Sequence, residues 1–164
     1  MKISIDTDII QRMSNPQPSE TEVPKKIHIL MIDDDPVMRR LFGGWLTILG
    51  YEIIYASDGN EGRETARRIQ PDLILMDERM PVMDGIEAAT RMKSEDLTKN
   101  IPILHFTNED LSIEAQKLIK DIGVDAYLHK SSELSVIKKV ILELLKDKVP
   151  TIIPAPKTTP SATN

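Results

Sequence analysis

The sequence contains no cysteine. That excludes disulfides, thiol catalysis and cysteine-ligated zinc, and it fits a reducing compartment. No stretch approaches the roughly 20 apolar residues that a membrane-spanning helix needs. No apolar run follows Met1 to Asp8, as a secretory signal would require. There is no excess of basic charge: the formal net charge is −5, a poor field for attracting nucleic acid. These absences set an expectation of a cytoplasmic chain with neither a membrane nor a nucleic acid as partner. Only one tryptophan is present, Trp45, in a helix-like stretch.

What is present suits one soluble domain. The chain has 164 residues, 40% hydrophobic and 29% charged, enough for a single core without staples. The ends differ from the middle. Residues 1–24 contain Asn15-Pro16-Gln17-Pro18, and residues 150–164 contain four of the eleven prolines. Such compositions bury too little apolar surface to offset the entropy of ordering, so both ends are expected to be disordered, with the domain spanning 25–149.

Within 25–149 the pattern alternates between strand-like and helix-like segments. Strand-like runs are Lys26–Ile32, Glu52–Ala56, Asp72–Asp77, Ile101–Phe106 and Val124–His129. Helix-like stretches are Pro36–Leu49, Asn60–Ile69, Gly85–Lys93, Leu111–Ile122 and Glu133–Lys146. Pro36 suits a first helical turn and Gly50 a helix C-terminus. Leu111, Ala115, Leu118, Ile119 and Ile122 recur near a period of 3.6, and Leu134, Ile137, Val140, Ile141 and Leu144 form a similar face. The first and third strands are nearly continuous apolar runs, as parallel strands covered on both faces require. Right-handed crossovers then give an α/β, flavodoxin-like, doubly wound five-stranded parallel sheet, order 2-1-3-4-5, with helices on both faces.

In such a fold ligands sit outside the carboxyl ends of the strands. Those ends carry Asp33-Asp34-Asp35, Asp77, Thr107 and Lys130, contributed by the first, third, fourth and fifth strands. Clustered carboxylates repel one another, and either protonation or a hard cation such as Mg²⁺ or Mn²⁺ relieves them. Asp77 is positioned to act as a nucleophile that accepts a phosphoryl group. Lys130 offers a point charge for phosphate and Thr107 a hydroxyl. Asp35, before Pro36, also reads as a helix cap. His28, His105 and His129 lie in or at the ends of strands and read as structural, without metal-site spacing.

Four segments carry a resemblance: Ile29–Pro36; Asp72–Asp77 with Met80-Pro81-Val82-Met83-Asp84-Gly85; Ile101–Leu104 before Thr107; and Gly123–Lys130. Together they resemble the receiver domain of two-component response regulators, over residues 25–149. The resemblance implies that Asp77 is the phosphoacceptor. It implies that Asp33, Asp34, Asp77 and the Arg79 backbone carbonyl hold the cation. Thr107 resembles the switch hydroxyl, Lys130 the lysine that pairs with the phosphoryl group, and Tyr127 the aromatic switch. The phosphoryl donor would be a histidine kinase or a histidine phosphotransfer protein. A downstream protein would read the surface of the fourth helix, fifth strand and fifth helix. The chain would be a signalling receiver, catalysing only its own phosphorylation and dephosphorylation, and about 15 residues after Val149 would leave it acting by protein contact.

Three departures stand out. Ser131 follows Lys130 where the family usually has proline, so a trans loop is expected. Asn108 replaces a small residue after Thr107. Arg79 and Glu109 occupy the two positions that tune dephosphorylation in the family, and their opposite charges can pair across the site entrance. Two alternatives of other classes are a pseudo-receiver scaffold and an aspartate-nucleophile phosphatase. Asp33-x-Asp35 superficially fits the latter, but Val37 stands where its threonine belongs, and a cap domain has no room. A flavodoxin-type cofactor site is disfavoured by the acidic first loop. Gly43 and Gly44 should each cost the first helix on the order of 1 kcal/mol against alanine, a cost that tight packing would explain.

Overall fold

The computed structural model describes residues 26–147; the expected disordered ends, 1–24 and 150–164, lie outside the described residues. Strands and helices alternate: β1 (His28–Ile32), α1 (Pro36–Ile48), β2 (Glu52–Ala56), α2 (Gly59–Ile69), β3 (Leu73–Met76), α3 (Gly85–Ser94), β4 (Ile103–Thr107), α4 (Ile113–Asp121), β5 (Ala126–His129) and α5 (Leu134–Leu144). All four strand pairings are parallel, and the sheet order is β2-β1-β3-β4-β5, as the sequence pattern predicts. Among the described residues no helix is long and apolar enough to cross a membrane.

Alternating strand residues feed two cores. On one face Ile29, Met31, Leu73, Leu75, Leu104 and Phe106 pack against Phe42 and Leu46 of α1 and Ile137 and Ile141 of α5. Phe42 and Phe106 meet edge to face with centroids 4.6 Å apart, the geometry their quadrupoles favour. Trp45 packs against the same core, partly buried. On the other face Leu30, Ile32, Ile74, Met76 and Ile103 meet Ala66 of α2 and Ala88, Ala89 and Met92 of α3.

The helices start where short polar side chains satisfy their first N–H groups. Asp35 accepts from the Val37 amide, with Pro36 in the first turn, while Asp58, Asp84 and Ser112 cap α2, α3 and α4. After α1, Gly50 takes φ +95°, the left-handed conformation that lets the chain leave a helix at low cost. α4 departs from its sequence pattern. It begins two residues later than expected, and Ile119 is its one buried residue. Leu118 is 46% exposed, and Leu111 lies ahead of the Ser112 cap.

Candidate functional site

Parallel strands bring their carboxyl ends to one edge of the sheet, and four of those ends build a cleft of about 220 Å³. Asp33 follows β1 and Asp77 follows β3; both are buried. The ladder ties them together, because the Asp77 amide donates to Ile32 O at 2.9 Å. Asp33 Oδ1 accepts from the Asp35 amide at 3.0 Å, and the Arg39 guanidinium holds the Asp33 carbonyl. Asp34 is exposed at the rim. Asp35 is spent on the α1 cap, its Oδ1 2.7 Å from the Val37 amide, as its place before Pro36 suggests.

Lys130 enters from the end of β5, buried, with Nζ 2.7 Å from Asp33 Oδ2 and 3.1 Å from Asp77 Oδ1. At 2.7 Å the Lys130 ammonium and Asp33 Oδ2 form a close ion pair. Burial pushes the Asp33 carboxyl above the ordinary range, and the Lys130 ammonium opposes it. Carboxylate oxygens of Asp33, Asp34 and Asp77 all lie within 4.8 Å of one another. Three carboxylates against one ammonium leave two negative charges. An all-oxygen set carrying that charge suits a hard divalent cation, so these residues fit Mg²⁺ or Mn²⁺.

Thr107, buried at the end of β4, lines the same cleft, as do Arg79 and Asn108. Its Oγ1 accepts from the Glu109 amide at 3.2 Å. Arg79 and Glu109 pair across the rim at 2.7 Å, as their positions suggest. Tyr127 stands outside the lining; its hydroxyl donates to Glu109 O at 2.7 Å. The peptide bonds around Ser131 are trans, and no cis peptide occurs among the described residues.

Two features escaped the sequence reading. Behind Asp77, Glu78 meets the fully buried His105 at 3.3 Å. Burial first, then the charges of Asp84 and Asp77, push Glu78 up to about 7, and burial lowers His105 to about 4. The pairing of Met76 with His105 in the sheet register creates this contact, and only the position of Glu78 next to Asp77 hinted at it. The second is the His129 ring, read as structural, which spans two loops through Asn108 and Ser131.

The arrangement brings together two buried carboxylates, an ammonium between them, a hydroxyl in the same cleft and an oxygen set that fits a divalent cation. Comparison with known proteins shows the family. The family model described as the response regulator receiver domain matches residues 29–142. A DNA-binding dual master transcriptional regulator, RpaA of Synechocystis, is 34% identical over 126 residues, covering 74% of this chain and 51% of its own. The chain spans about half the length, or less, of the curated relatives it matches. The chemotaxis protein CheY4 of Vibrio cholerae aligns with TM-score 0.69 and 30% identity, over 74% of this chain and 100% of that one. The receiver domain of the sensor histidine kinase PA1611 of Pseudomonas aeruginosa, which holds a magnesium ion in its active site cleft, aligns with TM-score 0.68 and 26% identity over 74% and 99% of the two chains.

Proposed function

The chain belongs to the response regulator receiver domain family, and from that premise we propose that Asp77 accepts a phosphoryl group from the phosphohistidine of a histidine kinase or histidine phosphotransfer protein. The observation that carries this reading is Lys130 held between the buried carboxylates of Asp33 and Asp77, with three carboxylates converging on one point.

An Asp77 carboxylate oxygen attacks phosphorus, the phosphorus–nitrogen bond breaks, and the partner's imidazole leaves and takes up a proton. The product is an acyl phosphate on Asp77. Little covalent work falls to the protein beyond this; the rest is positioning and charge. Lys130 is already in the cleft to meet the phosphoryl oxygens. Asp33, Asp34, Asp77 and the Arg79 carbonyl would hold Mg²⁺ or Mn²⁺, which supplies the positive charge that offsets the transferring group. The Arg79–Glu109 pair screens the entrance and slows water's approach to the acyl phosphate. A phosphoryl lifetime unchanged in Arg79→Ala would remove that role.

Thr107 then turns its hydroxyl from the Glu109 amide toward the new charge, and Tyr127 moves into the space released. The equilibrium between two loop forms shifts because the phosphoryl group contacts one of them better. The surface of α4, β5 and α5, helices on which Leu118, Leu134 and Leu142 are exposed, presents the change to a protein target in the cytoplasm. The test is the purified chain incubated with acetyl phosphate and Mg²⁺ and followed by intact mass. One added phosphoryl group, absent in Asp77→Asn, is expected. No gain in the wild type would instead favour a scaffold that no longer signals by phosphate, and hydrolysis of added phosphomonoesters would favour a phosphatase.

A further inference from the structure

Three consecutive carbonyls at the end of β4 are each taken up by a donor from β5 or the residue after it. The Lys130 amide donates to Thr107 O at 2.8 Å. The Tyr127 hydroxyl donates to Glu109 O at 2.7 Å. Between them, His129 Nε2 stands 2.8 Å from Asn108 O. The first bond continues the sheet, and the third belongs to the aromatic switch. The second has no role so far.

The surroundings of the ring fix its tautomer. The Ser131 amide approaches His129 Nδ1 at 3.1 Å, and the Ser131 hydroxyl lies 2.6 Å from the same nitrogen. An amide N–H only donates, so Nδ1 carries its lone pair. In the neutral ring the proton is then on Nε2, where it donates to Asn108 O. Ser131 stands where the resemblance leads one to expect proline, and a proline has no N–H with which to set this tautomer. His129 and Ser131 therefore act together.

The geometry points to His129 as a positioning residue that latches the Thr107 loop in its resting form through the Asn108 carbonyl. This rests on the reading that Thr107 moves toward phosphorylated Asp77. In the resting form the Thr107 hydroxyl is engaged by the Glu109 amide, so moving it carries Asn108 and Glu109 along. The Thr107 backbone stays in the ladder with His129, and the His129 carbonyl is bound by the Ser132 amide at 2.9 Å, so the ring does not follow the segment that begins at Asn108. The bond to Asn108 is thus made in one form and lost in the other, and a contact confined to one form biases the equilibrium toward it.

Two measurements on the full chain test this. Ring ¹⁵N chemical shifts of the unphosphorylated protein should show His129 protonated on Nε2 and bare on Nδ1. A proton on Nδ1 would overturn the latch, since the Ser131 amide could not then donate to it. Next, phosphoryl gain from acetyl phosphate with Mg²⁺ is timed by intact mass in wild type, His129→Leu and His129→Gln. Leucine keeps bulk and removes the bond, so its rate should rise about two- to tenfold, the range one hydrogen bond supports. Glutamine retains an amide donor and should return toward the wild-type rate, and it also serves if the leucine variant does not fold. A merely structural histidine would make the leucine variant slower; equal or slower rates overturn the latch. No phosphoryl gain in any chain overturns the Asp77 reading, and the ring tautomer then decides the bridge alone.

Discussion

At the scale of single residues, the Glu78–His105 pair makes a statement about protons. His105 is lowered to about 4 from 6.5, and Glu78 is raised to about 7 from 4.5. A depressed histidine means that the unfolded chain binds the extra proton between those limits, so its contribution to stability is present above pH 6.5 and lost as pH falls toward 4. A raised carboxyl has the opposite sign. The folded chain holds the extra proton, and stability from that source is full below pH 4.5 and lost as pH rises toward 7. Across their common window the two slopes oppose each other, because the pair carries about one proton whether folded or not. Glu78→Gln should therefore expose the histidine slope: relative to wild type in EDTA, its melting temperature should climb more steeply between pH 4 and 6.5. Parallel profiles would show that the Glu78 carboxyl is not raised in the folded chain. This pair was illegible in the sequence because 27 positions separate its members (105 minus 78), and only the β3–β4 register joins them. Asp33, Asp77, Thr107 and Lys130 were legible for the opposite reason: each closes a strand, and parallel strands deliver their ends to one edge.

At the scale of elements, the helices differ in how firmly they are held. α1 contains two adjacent glycines with different environments. A methyl group on Gly43 would run into the Tyr55 ring, with Cε1 at 2.7 Å, whereas nothing lies within 4 Å of one on Gly44. At Gly43 the obstacle is the end of a side chain that is 43% exposed and can swing aside; nothing in the structure explains Gly44. Gly44→Ala should stabilise the protein by about 1 kcal/mol through helix propensity alone, read as a higher urea midpoint with an unchanged slope. A loss of stability there would reveal a contact made by the glycine itself. α4 shows where periodicity misled. Its apolar residues recur at helical spacing, yet only Ile119 is buried, because Leu111 falls in the preceding loop and Leu118 faces solvent. Spacing reports which residues share a side of a helix; it does not report whether that side reaches a core. A helix so lightly seated, beside the Thr107 loop, is well placed to shift when that loop moves.

At the scale of the whole molecule, sheet order and layering followed from the sequence because five apolar runs alternate with amphipathic stretches and crossover handedness leaves few arrangements. The site sits at an edge where an uncompensated negative charge opposes folding, so a divalent cation bound there should stabilise the entire domain. With Mg²⁺ at about a hundredfold excess over its Kd the gain is about 2.7 kcal/mol. Thermal unfolding with Mg²⁺ against EDTA should show a rise that shrinks in Asp34→Asn, whose exposed carboxylate contributes little to the cation-free fold. An unchanged midpoint would mean that the carboxylates hold no cation. The two cores also differ in grain. The α1 and α5 face is filled by Phe42, Leu46, Phe106, Ile137 and Ile141, large side chains that can exchange volume with one another. The α2 and α3 face depends on Ala66, Ala88 and Ala89 and on glycines whose added methyl groups would strike Ile32 from Gly62 and the Asp77 carbonyl from Gly85. Evolutionary drift can therefore proceed by compensated swaps on the first face, while on the second the small helix positions Ala66, Ala88, Ala89, Gly62 and Gly85 admit only enlargement. Lineages descending from this chain should keep those small positions of α2 and α3 nearly frozen while the large core residues on both faces exchange volume.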